Sequence, residues 1–214
     1  MILCDREVQA LLEEGQVLID PLPDANSELW SSTALDLTLA SVLVQWKATP
    51  PTGGGPVPPI QPAAKNFDVQ GMMEDSHYAT KLPIDPDPDK GYDLAPKSFI
   101  LGFTEQRIRL PNRCRIAARV EGKSSLARLG IGVHITAPTI HAGFGAKEED
   151  DKGTPIQLEI FNLGPWSVKL VVGMRICQMI FEEVREVPRA GYRGQFNKQK
   201  AFTVPVKDVP APKN

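Results

Sequence analysis

The sequence predicts an all-β fold, a sandwich or distorted barrel of short strands, on three observations. Proline (20) and glycine (17) are plentiful among the 214 residues, as a turn-rich chain requires. Helical periodicity is scarce. After Pro96, seven short apolar segments alternate with turn residues: SFILGF, RIRL, RIAARVE, IGVHIT, IQLEIF, WSVKLVV and RICQMIFEEV. The length suits one domain with a real core, expected over residues 1–188.

The elements follow in order. A short N-terminal helix is expected, with Asp5 as its cap, Val8, Leu11 and Leu12 as its buried stripe and Gly15 as its stop. Residues 34–44 (ALDLTLASVLV) alternate Leu35, Leu37 and Leu39 against Asp36 and Thr38, which predicts a strand. Pattern is lost over residues 49–93, where TPPTGGGPVPPIQP and DPDPDK indicate a long structureless insert, functional or disordered, read as an excursion from the domain because strand-like sequence resumes on both sides. Strands at 115–120 and 131–136 are expected to flank the segment EGKSSLARLG. The basic tail, residues 189–214 with Arg189, Arg193, Lys198 and Lys200, is expected to form a mobile arm or lid.

Composition narrows the function. The apolar share of 42% and charged share of 23% are those of an ordinary globular protein. A net charge of −2 gives no global attraction for nucleic acid or an anionic membrane, so a polyanion needs a local cationic site. Cys4, Cys114 and Cys177 stand singly, without the spacing of a disulfide frame or a zinc knuckle. The charged N-terminal segment has no apolar leader core and no run reaches the length of a membrane span, so the cytoplasm is the expected location.

SSLARL between two strands has room for one or two helical turns closed by Gly130. Ser124 is the expected N-cap, leaving the amides of Ser125 and Leu126 at a positive dipole end that favours an anion. Lys123 precedes that end, Arg128 follows one turn later with a forked donor, and Gly122 permits close approach.

These residues carry a resemblance. RVEGKSSLARLG at 119–130 is similar to the phosphate-binding motif of the dCTP deaminases, which share a fold with the trimeric dUTP diphosphatases. MILCDREVQALLEEG, LDLTLASVLVQW, PKSFILGFTEQRIRLP, VHITAPTIHAGF, LEIFN, GMRICQMIFE and YRGQ follow in the family's order. The resemblance implies a dUTPase-like β-clip, a distorted jelly roll, with a small helix after the phosphate motif. It also implies a homotrimer with interfacial active sites. The implied reaction is hydrolytic deamination of dCTP to dUTP and ammonia, with Mg2+ carried on the triphosphate and no metal held by the protein. The zinc-deaminase pattern H-x-E…P-C-x-x-C is absent from the sequence.

Residue by residue, the resemblance makes Glu159 the general acid/base. The alternation of IQLEIF sets Glu159 with Gln157 and Phe161 opposite Ile156, Leu158 and Ile160, where apolar neighbours are expected to raise its pKa. Lys123, Ser124, Ser125, Leu126, Ala127 and Arg128 would hold the triphosphate. Thr136 and Ala137 would present backbone to the water or the cytosine edge, Gln157 would face the nucleotide through its main chain with Leu158 beside it among the substrate-binding residues, and Gln195 would meet phosphate as the tail closes. His141 stands where the family carries an aspartate that meets the deoxyribose, and His134 is assigned no chemistry. Thr139, Phe144, Gly191 and the acidic segment GAKEEDDKGTP also depart from the family pattern. A dUTP diphosphatase, a bifunctional enzyme carrying dCTP through to dUMP and a degenerate nucleotide-binding relative remain as alternatives.

Overall fold

A computed structural model of the chain describes residues 1–48, 59–112, 114–134, 136–146 and 152–192. In chain order its elements are α1 (Asp5–Glu13), β1 (Leu18–Asp20), β2 (Trp30–Ser31), β3 (Ala34–Thr38), β4 (Val42–Trp46), α2 (Val69–Glu74), β5 (Ala79–Pro83) and β6 (Tyr92–Leu94). There follow β7 (Phe99–Arg109), β8 (Ile116–Gly122), α3 (Ser124–Ala127), β9 (Ile131–Val133), β10 (Thr139–Ile140), β11 (Thr154–Asn162), β12 (Val168–Leu170) and β13 (Arg175–Glu183). The strands form two main antiparallel sheets, ordered β5-β4-β7-β11-β9, with β1 also on β7, and β10-β8-β13-β3-β2; β12 and β6 make a separate pair. The predicted all-β class holds.

One large apolar cluster joins the two sheets, with Leu35, Leu37, Leu43, Ile100, Ile108, Leu158, Ile160 and Phe181 almost wholly buried. Each such side chain contributes about 2 kcal/mol of transfer free energy. A second cluster lies on the other face of the first sheet. There α2 lays Met73 over Val42, Val44, Leu101 and Phe103. Glu159 pairs with Leu101 and Gln157 with Phe103 across β11 and β7, so both polar residues stand on that α2-covered face.

Several expectations are corrected. The N-cap of α1 is Cys4, not Asp5: Glu7 reaches back to the Cys4 amide at 2.8 Å in a capping box. The stretch 34–44 is two strands, not one. β3 pairs with β13 in one sheet and β4 with β7 and β5 in the other, and Leu39–Ser41 carries the chain between them. SFILGF and RIRL belong to one strand, β7, because buried Thr104 and Gln106 satisfy each other and Thr38 at the polar break. The insert is not structureless. Its described part forms α2 and β5, and β5 extends the sheet beside β4. Its acidic DPDPDK turn is self-satisfying: Asp85 accepts from the Asp87 amide and Lys90 pairs with both carboxylates. The strand expected to run to 136 ends at Val133, since His134 takes a left-handed φ of +54°.

Candidate active site

Glu159 is placed by β11, whose alternation sends Leu158 and Ile160 into the core and Glu159 out of the opposite face. Its side chain keeps a third of its surface exposed. Here the chain turns at His134, and that left-handed residue serves Glu159 twice. The His134 amide donates to the Glu159 carbonyl at 3.0 Å, and the imidazole Nδ1 lies 2.8 Å from the Glu159 Oε2. Both of those side-chain atoms are closed off from solvent, and among the described residues neither has another partner. The sequence assigned His134 no chemistry. Its signal was the V-H-x-T-A string, whose histidine proves to touch the carboxyl.

The two residues face a cavity of about 260 Å3. Ala137, His141, Gln157 and Tyr192 line it together with Thr139, Ile140, Phe144 and Ile156, and Glu159 is the one carboxylate among these described lining residues. Three of the residues expected around the base and sugar, Ala137, His141 and Gln157, therefore meet Glu159. Leu158 is wholly buried and does not line the cavity. Thr136 is exposed beside the cavity without lining it.

The tail reaches this cavity. The Tyr192 amide donates to the Ala142 carbonyl at 3.1 Å, and the Tyr192 ring stacks on His141 with centroids 5.3 Å apart and 15° between planes. Gly143, at φ +88°, allows the crossing: a Cβ there would lie 2.7 Å from the Gly191 Cα. Gln195 and Arg193, like the acidic residues 148–151, lie outside the described residues.

The 123–128 segment lies apart from that cavity within one chain. Its helix α3 is a single turn capped at Lys123, one residue before the expected Ser124. Ser124, Ser125 and Arg128 are exposed, and Leu126 packs on the core. Gly130, at φ +88°, closes the turn against the Gly164 backbone. Lys123 is not a free cation. Its ammonium pairs with Asp36, a carboxylate that is 8% exposed, and Arg175 approaches the other oxygen of that carboxylate at 3.7 Å. No group of three His, Cys, Asp or Glu among the described residues is arranged to hold a metal ion, and no described helix is long and apolar enough to cross a membrane.

Fold and cavity together define a β-sheet protein with one strand-borne carboxylate in a small pocket and a separate exposed Ser-Ser-Arg turn. The sequence profile of the dCTP deaminase-like family matches residues 2–184, and the chain belongs to that family. It is 34% identical over 181 residues to a "dCTP deaminase, dUMP-forming" of Methanosphaera stadtmanae, covering 85% of this chain and 78% of that one. It is 33% identical over 192 residues to a protein of the same name from Dictyoglomus thermophilum, covering 90% and 85%. With the "dCTP deaminase" of Rhodospirillum rubrum it shares 34% over 189 residues, covering 85% and 82%. Among solved structures, the 2'-deoxycytidine 5'-triphosphate deaminase of Agrobacterium tumefaciens has a similar fold, with a TM-score of 0.59 and 19% identity over 85% of this chain. The match takes in 48% of that solved chain, so this chain spans about half its length.

Proposed function

We propose that the protein hydrolyses the amino group from C4 of dCTP in the Glu159 cavity. The observation that carries this is the single carboxylate at the cavity wall, held by His134 in a chain of the dCTP deaminase-like family. Glu159 takes a proton from the attacking water and returns one to the departing ammonia, two duties one carboxyl performs in sequence. His134 fixes the rotamer of Glu159 through its 2.8 Å contact. Ser124, Ser125 and Arg128 offer exposed donors for the phosphates, and magnesium arrives on the triphosphate as part of the substrate. Because that turn does not line the cavity of its own chain, the reading takes it from a neighbouring copy in a homotrimer.

The names of two of the relatives above extend the reaction beyond dUTP, so the end product proposed is dUMP, in place of the dUTP expected from the sequence. Incubation with dCTP and magnesium, followed by chromatography, is then expected to yield ammonium, pyrophosphate and dUMP; accumulation of dUTP would return the proposal to plain deamination. Glu159→Gln is expected to lower ammonia release at least about a hundredfold while dCTP still binds. Unimpaired release from that variant would falsify the assignment of the acid/base.

A further inference from the structure

We infer that the Gln157 side chain, pinned by Met73 of the insert, is a base-selecting group that accepts a hydrogen bond from an amino-bearing pyrimidine edge. The inference rests on the deaminase reading of the Glu159 cavity and goes beyond it in naming a selecting side chain and the element that sets it. Gln157 lines the cavity and is 9% exposed. Its Nε2 donates to the Met73 Sδ at 2.9 Å, with Met73 itself 2% exposed. A thioether can only accept, so the end of the amide that faces the sulfur is the NH2 and the Oε1 must point elsewhere. Among the described residues nothing donates to that Oε1, and it is not sealed in the interior. It therefore opens as an acceptor beside the cavity.

Gln157 and Glu159 share one face of β11 and stand about 7 Å apart along it. A pyrimidine whose C4 lies against Glu159 brings its 4-substituent within reach of this acceptor. An amino group donates to it, whereas a 4-carbonyl sets two acceptors against each other, so a cytosine nucleotide is bound in preference to its uracil counterpart. Were the amide free to rotate, Nε2 could serve a carbonyl and the preference would fade. Met73 blocks that rotation and is a positioning residue: α2 of the insert thereby sets which base the cavity takes.

The test is calorimetric binding of the nonhydrolysable α,β-imido analogues of dCTP and dUTP, with magnesium, in the Glu159→Gln background. The variants added are Gln157→Leu and Met73→Leu, the latter nearly volume-conserving and checked by its melting temperature. The preference for the cytosine analogue is expected to fall about tenfold in Gln157→Leu, through weaker cytosine binding. In Met73→Leu it is expected to fall several-fold, through tighter uracil binding, a gain that mere loosening of the fold would not produce. An unchanged preference in both variants overturns the inference. If the protein with Glu159 intact meanwhile releases ammonia from dCTP, the deaminase reading stands and only the base-selecting role is lost. If it binds neither analogue and releases no ammonia, both fall. A preference that responds as expected in a chain releasing no ammonia keeps the base-selecting role and removes the deamination.

Discussion

At the scale of single residues, Lys123 shows how burial redirects a charge that the sequence assigned to phosphate. Asp36 lies on β3 with both faces of its strand covered, and a buried carboxylate without a partner is costly. Lys123 supplies the partner. Lys123→Met is therefore expected to destabilise the fold by about 2 kcal/mol, read as a shifted urea midpoint, besides any change in nucleotide affinity. A pure phosphate ligand would leave the midpoint in place. Under the same pair lies Cys177, fully buried. Burial, aided by the neighbouring Asp36 charge and opposed by Lys123, pushes its thiol up to about 12. The unfolded chain releases that proton near about 8.5, so this contribution to stability is complete below that value and is lost as pH rises from there toward 12. In the native state at pH 8, a maleimide is expected to label the half-exposed Cys4 and Cys114 and to spare Cys177, counted by mass spectrometry. Native labelling of Cys177 would contradict the buried, protonated thiol.

At the scale of elements, legibility followed the strength of local pattern. β8 and β11 carry stretches of alternation and β13 a dense apolar run, each in a strand of seven or nine residues, and these were readable. β5 was not. Its five residues sit among prolines and aspartates, and what makes them a strand is the edge of β4, which no local window contains. α2 was missed for the same reason: a six-residue helix has too few turns to show a stripe, and its place is fixed by Met73 finding Phe103 and Leu101. In the site, Glu159 and His141 were legible through motif strings. The imidazole of His134 was not, because its contact depends on a left-handed backbone that sequence does not announce. The tail crossing at Gly143 gives this scale its own prediction. Gly143→Ala puts a methyl 2.8 Å from the Tyr192 amide at a φ of +88°, so residues 190–192 must leave. With the Ala142 hydrogen bond and the His141 stack gone, KM for dCTP is expected to rise about tenfold. The left-handed backbone also strains the alanine, so the melting temperature is expected to fall by a few degrees as well. An unchanged KM would mean that the docked tail has no part in binding.

At the scale of the whole molecule, no residue of the Ser124–Arg128 turn lines the Glu159 cavity of its own chain, and the proposed homotrimer draws the two from different copies. The apolar side chains exposed near that turn, Leu129, Leu163 and Trp166, give such a neighbour a surface to cover. Sharing has a consequence that no property of a single chain can imitate. Glu159→Gln protomers lack the acid, Arg128→Ala protomers lack the phosphate fork, and each homogeneous assembly should be nearly inactive. When the two are mixed one to one and allowed to exchange, a site that draws its acid from one copy and its arginine from the next is intact about a quarter of the time. Ammonia release should therefore return to about a quarter of the unmutated rate per site. Sites complete within one chain would gain nothing from mixing, because every chain in the mixture is defective. Native mass spectrometry of the same mixture, which tells mixed assemblies apart by the side-chain mass lost in Arg128→Ala, would establish that exchange occurred. Persistent inactivity in mixed assemblies would place the acid and the phosphate turn in one chain's own site and remove the neighbouring copy from the mechanism.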